Sequence, residues 1–386
     1  MLEDRARVQK VPVCVDGRLA ASEATGVASY AAAMRAALAA TGRAPLVLDD
    51  AQRGRFGVRS GAVERARRWL RVWSSRSVTL RQEGDRLFAA DVFRLAQARF
   101  DRTGRMLALQ APGQAGFMHW TYPIPARIAG WVNLYTVHDV IPLTDPALSP
   151  VDGGALRRRI MAVAAAGDRI VTVSSAARQA ILAAMPLDPA QVTDCGAAIA
   201  DMVPDAGSLP AGLTHDEYYL FCGTAEPRKN LPRLIAAWAE SGTGRPLVVV
   251  GPDATRIAPQ PGLIVLPYQP RAALMNLVRQ ARALLFPSLA EGLGLPVVEA
   301  MALGTAMLTS DRGALAETAG GAALLVNPED RAAIAAAIRR LDRDDALRAA
   351  LIARGLVRQE DYSLQVFGER LLALHAEFAG DLRVRG

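Results

Sequence analysis

Short, largely apolar runs recur along the chain, most followed by a turn and then by a stretch of helical period. Runs that do not alternate with polar residues are what strands buried on both faces look like. In the first half these are Val11–Val15, Leu46–Leu48, Trp131–Val137 and Asp168–Val173. In the second they are Tyr218–Cys222, Leu247–Gly251, Leu263–Pro267, Ala283–Phe286 and Ala306–Ser310. Helical stretches fall between them: Val27–Ala40, AARQAILAAM (Ala176–Met185) behind a Ser174-Ser175 cap, LPRLIAAWA, and the amphipathic RAALMNLVRQAR. This alternation predicts α/β architecture with doubly wound parallel sheets. The Pro- and Gly-bearing run Ala200–Gly212 is the best boundary, giving an N-terminal domain over 1–205 and a second over 213–365.

Length agrees, since 386 residues exceed one ordinary core. With 51% hydrophobic and 22% charged residues and no run of about 18 apolar residues, the composition is that of a soluble protein. MLEDRARVQK lacks the apolar core of a signal peptide, and Cys14, Cys195 and Cys222 are isolated, which reads as buried thiols. A cytoplasmic location is the expectation. The net charge of +7 is uneven: residues 51–105 carry fourteen arginines against five acids, so the rest nets −2. Within that segment, Glu64–Trp73 interleaves Trp69 and Trp73 with arginines, a pattern that suits peripheral contact with an anionic membrane. The alternative is a solvated helix whose tryptophans pack inward. Nucleic acid is not expected, because no recognition motif accompanies the charge.

Candidate chemistry concentrates in Phe286–Met301, FPSLAEGLGLPVVEAM. A strand leads into a turn with Gly292 and Gly294, and a helix starts near Pro296, a residue suited to a first turn because it lacks an N–H. The amides of such a start attract phosphate. Glu291 and Glu299 flank it, and carboxylates beside an anion site suit hydroxyl-rich groups, a sugar and a ribose. The bland alternative is an acid paired with the helix dipole. Arg228-Lys229 follow the Gly223 turn, where two cations can neutralise a diphosphate. His119 and the pair His138-Asp139 lie at the ends of apolar runs, where ligands of open α/β sheets bind. Pro142 and Pro146 are expected to stop any helix and hold a loop. Asp342-Arg343-Asp344 has the form of a metal-binding Asp-x-Asp but sits in a charged helical stretch, and reads as a solvated face with no metal.

EGLGLPVVEAMALG and EPRKNL resemble the donor-site motifs of the family 4 retaining glycosyltransferases, which use nucleotide-diphospho-sugars and have the GT-B fold, two Rossmann-like domains facing across a cleft. HWTYPIP and TVHDVIPLTDP resemble the acceptor side of its bacterial mannosyltransferase-like members. The resemblance implies that Arg228 and Lys229 hold the leaving diphosphate, with Gly292, Leu293, Gly294 and Leu295. It implies that Glu299 holds the ribose, Glu291 orients sugar hydroxyls, and His119 stabilises charge near the anomeric carbon. His138 and Asp139 belong to the same cleft, Gly26 and Tyr30 line it opposite the phosphates, and the loop with Tyr268 reads the base. Many members carry Arg where this chain has Thr224, which implies either that Arg228 takes more of the diphosphate or that the leaving-group clamp is weaker here. It further implies that segment 366–386 crosses back to the first domain, and that neither a metal nor another cofactor is needed. GDP-mannose is the favoured donor, with UDP-glucose the nearest rival, and a lipid-linked glycan is the expected acceptor. From another class, a GT-B-fold sugar-nucleotide epimerase would share the donor site, but would leave the Arg/Trp segment without a role. A non-catalytic sugar-nucleotide binder is disfavoured by the intact acids and cations.

Overall fold

The computed structural model describes residues 11–18, 26–50, 77–200, 202–205, 207, 209–252 and 257–382. The Glu64–Trp73 segment lies outside them. The first large sheet has eight strands in the spatial order Val192–Asp194, Arg169–Thr172, Val132–Thr136, Phe117–Trp120, Val13–Asp16, Leu46–Asp49, Arg86–Phe88 and Arg81–Glu83. Only the last pair is antiparallel. The second has six parallel strands: Leu263–Leu266, Leu247–Val250, Tyr219–Cys222, Ala283–Phe286, Met307–Ser310 and Leu324–Val326. A small third sheet joins Ser77–Thr79, Leu107–Gln110 and Ala126–Ile128. The central strands VNLYT, YLFC, LVVV and ALLF are buried along their whole length, and the last three are unbroken apolar runs because helices cover both faces.

In both large sheets the strand order reverses beside the first strand. That point lies between Val13–Asp16 and Phe117–Trp120 in one sheet, and between Tyr219–Cys222 and Ala283–Phe286 in the other. Ligands of such sheets bind outside the carboxyl ends at this crevice. In the second sheet those ends carry the Gly223 turn and the Pro287–Gly294 loop.

The helix Leu364–Glu377 packs along the helix Gly26–Ala40 of the first half. Gly368 permits the close approach: a Cβ there would meet Thr41 Cγ2 at 2.7 Å and Ala37 O at 2.9 Å. Beneath this contact lies a buried chain of polar groups. Arg43 bonds Val11 O and His375 Nδ1, each at 2.7 Å, and His375 Nε2 lies 2.7 Å from His119 Nε2. Guanidinium can only donate, so His375 accepts at Nδ1 and donates from Nε2, which places the His119 proton on Nδ1. That nitrogen is buried with no hydrogen-bond partner.

Two expectations are corrected. Pro142 and Pro146 do not stop helices but open them: Pro142 lies in the first turn of Ile141–Thr144, and Pro146 starts the 3-10 turn Pro146–Leu148. Their missing N–H groups sit where a helix has no acceptor for them. Asp342 is not a solvated helix residue. It accepts from the Tyr219 hydroxyl at 3.0 Å and from Arg245 Nη1 at 2.7 Å, and holds the end of Arg331–Arg343 against the sheet. Replacing Gly368 by Ala should destabilise the protein by about 1–3 kcal/mol, because the clash is with backbone as well as side chain. Gly380→Ala, which meets nothing, should leave the urea midpoint unmoved.

Candidate active site

A cavity of about 410 Å³ opens where the carboxyl ends of the two sheets meet. Gly223, Thr224, Arg228 and Lys229 enter from the turn after Tyr219–Cys222, and Glu291, Gly292, Leu293, Gly294, Leu295 and Glu299 from the loop and helix after Ala283–Phe286. Tyr268 comes from the edge of the second sheet, while Gly26, Tyr30, His138 and Asp139 come from the first half.

Glycine explains how the halves come so close. A Cβ on Gly292 would lie 2.1 Å from His138 O. Ser174, which caps its own helix by accepting from Ala177 N, donates its hydroxyl to Gly292 O at 2.6 Å. The Glu317 carboxylate accepts from Ser175 N at 2.9 Å and Ala176 N at 2.7 Å, so an acid from one half caps a helix of the other. Gly294 is the N-cap of Leu295–Ala302, in the left-handed region at φ 96°. Pro296 has no N–H and Val297 N donates to Gly294 O, so the Gly294 and Leu295 amides remain for a ligand.

The charges are arranged in pairs. Glu291 receives Arg228 Nη1 on one oxygen and Lys229 Nζ on the other, both at 2.6 Å. Lys229 is only 8% exposed and its ammonium lies 4.7 Å from the centre of the Phe286 ring. Glu226 takes Arg228 Nε at 2.7 Å and the Thr224 hydroxyl at 2.9 Å. Thr224 therefore binds the acid that aims Arg228. Burial lowers the Arg228 pKa, but Glu291 and Glu226 outweigh it and the net shift is upward. Glu299 is buried and receives Arg271 Nη1 at 2.5 Å. Burial raises the Asp139 carboxyl, whose oxygen accepts from Ile141 N.

His138 donates from Nε2 to Thr121 O at 2.9 Å and meets the Tyr30 ring edge-to-face at 4.9 Å. Burial lowers its pKa, which favours a neutral ring with its Nδ1 lone pair unused.

His119 is a correction. It lies within Phe117–Trp120 rather than at the cleft, is 1% exposed, and turns toward His375 instead of the cavity. Side chains alternate across a strand, so its position near a strand end did not decide its face. Burial pushes its pKa down to about 3. Arg271 was not anticipated. It opens an amphipathic helix, and nothing in its spacing marks it as the partner of Glu299. Glu226 lay within EPRKNL and could have been read there as the acid that orients Arg228.

With this geometry in hand, comparison with known proteins is decisive. The family model described as "Glycosyl transferases group 1" matches residues 212–357. O-antigen chain mannosyltransferase B of Escherichia coli is 31% identical over 263 residues, covering 62% of this chain and 68% of that protein. The chain belongs to the group 1 glycosyltransferases. Serotype-specific mannosyltransferase WbdA of E. coli is 28% identical over 284 residues, 63% of this chain, and the match spans about a third of WbdA (33%). Among solved structures, sucrose-phosphate synthase from Thermosynechococcus elongatus superposes with a TM-score of 0.65 at 17% identity, covering 96% of this chain and all (100%) of that one. The fold of this glycosyltransferase is GT-B.

Two predictions follow from these contacts. Gly292→Ala should lower turnover by about 10²-fold, since its Cβ must push the loop by about an ångström, measured as nucleoside diphosphate release. The second concerns pH. His119 and His375 have folded pKa values below the ordinary 6.5. Their contribution is therefore complete above that value and is lost as pH falls below it, by about 1.4 kcal/mol per pH unit for each ring. His375→Gln can still accept from Arg43 and donate to His119, but it does not titrate. Urea titrations between pH 7 and 5 should show its slope shallower than the wild type's by about one ring's worth.

Proposed function

We propose that this glycosyltransferase moves mannose from GDP-mannose to a lipid-linked glycan, with retention at the anomeric carbon and without a metal ion. The observation that carries the site is the bridge of Glu291 to both Arg228 and Lys229. Each Glu291 oxygen spends one lone pair on a cation and has another for a sugar hydroxyl. A diphosphate arriving beside it shares the same two cations, so the sugar and its leaving group are held by one charge network. The Gly294 and Leu295 amides add donors, which is how a site stabilises a developing diphosphate without a metal. Glu299, braced by Arg271, is suited to the two ribose hydroxyls.

Retention without a covalent intermediate is supported by the acids themselves. Glu291 carries a cation on each oxygen, which lowers its nucleophilicity and favours a path with no covalent intermediate. The acceptor then attacks on the face the diphosphate leaves. His138, whose Nδ1 lone pair is unused, stands at the transferred sugar. Mannose is supported by the relatives named as mannosyltransferases. No described helix is long and apolar enough to cross a membrane. Contact with a lipid-borne acceptor would fall to the arginine-rich segment 51–105, as a peripheral attachment on the cytoplasmic face.

The test is a panel of GDP-mannose, UDP-glucose, UDP-galactose, UDP-GlcNAc and dTDP-rhamnose, read by thermal shift and by release of nucleoside diphosphate. GDP-mannose should give the largest response, and a larger one to a UDP-sugar would replace the donor. Lys229→Ala and Glu291→Ala should each cost about 10²-fold or more in turnover. Unchanged turnover in both would overturn the site.

A further inference from the structure

The His138 ring needs more than one contact to hold it still, because the last torsion of a histidine has broad minima. Its hydrogen bond to Thr121 O fixes Nε2 alone. The second constraint is Tyr30, whose ring meets the imidazole at 84° with centres 4.9 Å apart, the edge-to-face arrangement that aromatic pairs prefer. Tyr30 is itself held at two places. Its hydroxyl lies 3.3 Å from Thr136 Oγ1, at the end of the strand that leads to His138, and its ring packs on Phe367 with centres 5.7 Å apart. Phe367 is fully buried and belongs to Leu364–Glu377, the helix that Gly368 lets down onto Gly26–Ala40. It does not line the donor cavity.

The same helix is anchored to the donor side. The turn Gln359–Tyr362 leads into it, with Tyr362 O accepting from Ile199 N at 3.1 Å and the Tyr362 hydroxyl donating to Thr318 O at 3.5 Å. Thr318 donates its own hydroxyl to Leu293 O at 2.7 Å, in the glycine loop of the donor site. One stretch of chain therefore reaches the donor loop at its start and the Tyr30 ring further on.

We propose that Phe367 is a positioning residue for glycosyl transfer: it holds Tyr30 against His138, and so fixes the direction of the His138 Nδ1 lone pair. This rests on the reading that places His138 at the transferred sugar, and adds to it the residue that aims the ring. Filling a core is the other use of such a side chain, and Leu374 separates the two. It is also buried, about two turns further along the same helix, and carries no ring.

The experiment compares the full-length wild type with Phe367→Leu, Leu374→Ala and His138→Gln, following GDP release from GDP-mannose with octyl α-mannoside as acceptor. Phe367→Leu should lower kcat about tenfold and leave KM for the donor within about twofold, because a misplaced transition-state group costs rate and not donor binding. Leu374→Ala should lower the urea midpoint at least as far and leave kcat unchanged. Nitrogen NMR of the histidine rings gives an independent reading. Phe367→Leu should move the His138 signal, identified by its loss in His138→Gln, and leave that of the exposed His215 in place. That signal needs no acceptor, so it decides the question even if octyl α-mannoside is not used. Phe367→Met, which keeps volume without a ring, takes over if the leucine variant does not fold. Unchanged kcat, equal kcat losses in the Phe367 and Leu374 variants, or an unmoved His138 signal overturns the proposal. Unchanged kcat in His138→Gln removes His138 from the transfer step and this proposal with it, whereas a large loss there with none in Phe367→Leu removes this proposal alone.

Discussion

The close approach of Gly292 to the His138 carbonyl is the constraint on which the rest depends. No side chain fits between the two, so the turn after one sheet sits directly on the strand end of the other. Ser174 and Glu317 then tie the same junction by hydrogen bonds from opposite sides. The effect is to bring Glu291, one residue away, into the space bounded by His138 and Asp139. A cleft at the carboxyl end of a parallel sheet is common, but here the two such ends share one wall.

Charge inside that cleft is costly unless paired, because burial removes water from each group. Lys229, Glu291 and Glu299 are all nearly buried, and each meets an opposite charge. Such pairs add little stability over apolar packing, so their retention fits ligand binding better than folding. The pairing also keeps the cleft close to neutral before a substrate enters. A diphosphate bound there as proposed would exchange one set of charge-assisted bonds for another instead of meeting unsolvated cations.

The histidine chain shows the opposite use of polar groups. His119, His375 and Arg43 lie away from the cavity and join the last long helix to the strand Phe117–Trp120 and to Val11. Their order is set by the guanidinium, which can only donate, and burial keeps both rings uncharged. It is a structural contact that depends on pH.

What the sequence determined by itself was periodicity and local backbone. Unbroken apolar runs located the strands, and the glycines and Pro296 of EGLGLP located the helix start, because these properties depend only on neighbouring residues. The GT-B fold was legible through them and through the resemblance that EGLGLPVVEAM and EPRKNL carry. The motif residues could be read as one site because they lie at strand ends, which a parallel sheet must gather on one side. Tertiary structure alone decided which way a buried side chain faces and what it meets. His119 and His138 look alike as residues near strand ends, yet one turns toward the C-terminal helix and the other toward the cleft. Arg271 drew no signal and Asp342 read as a solvated face for the same reason: their partners lie tens of positions or more away, and only packing brings them together.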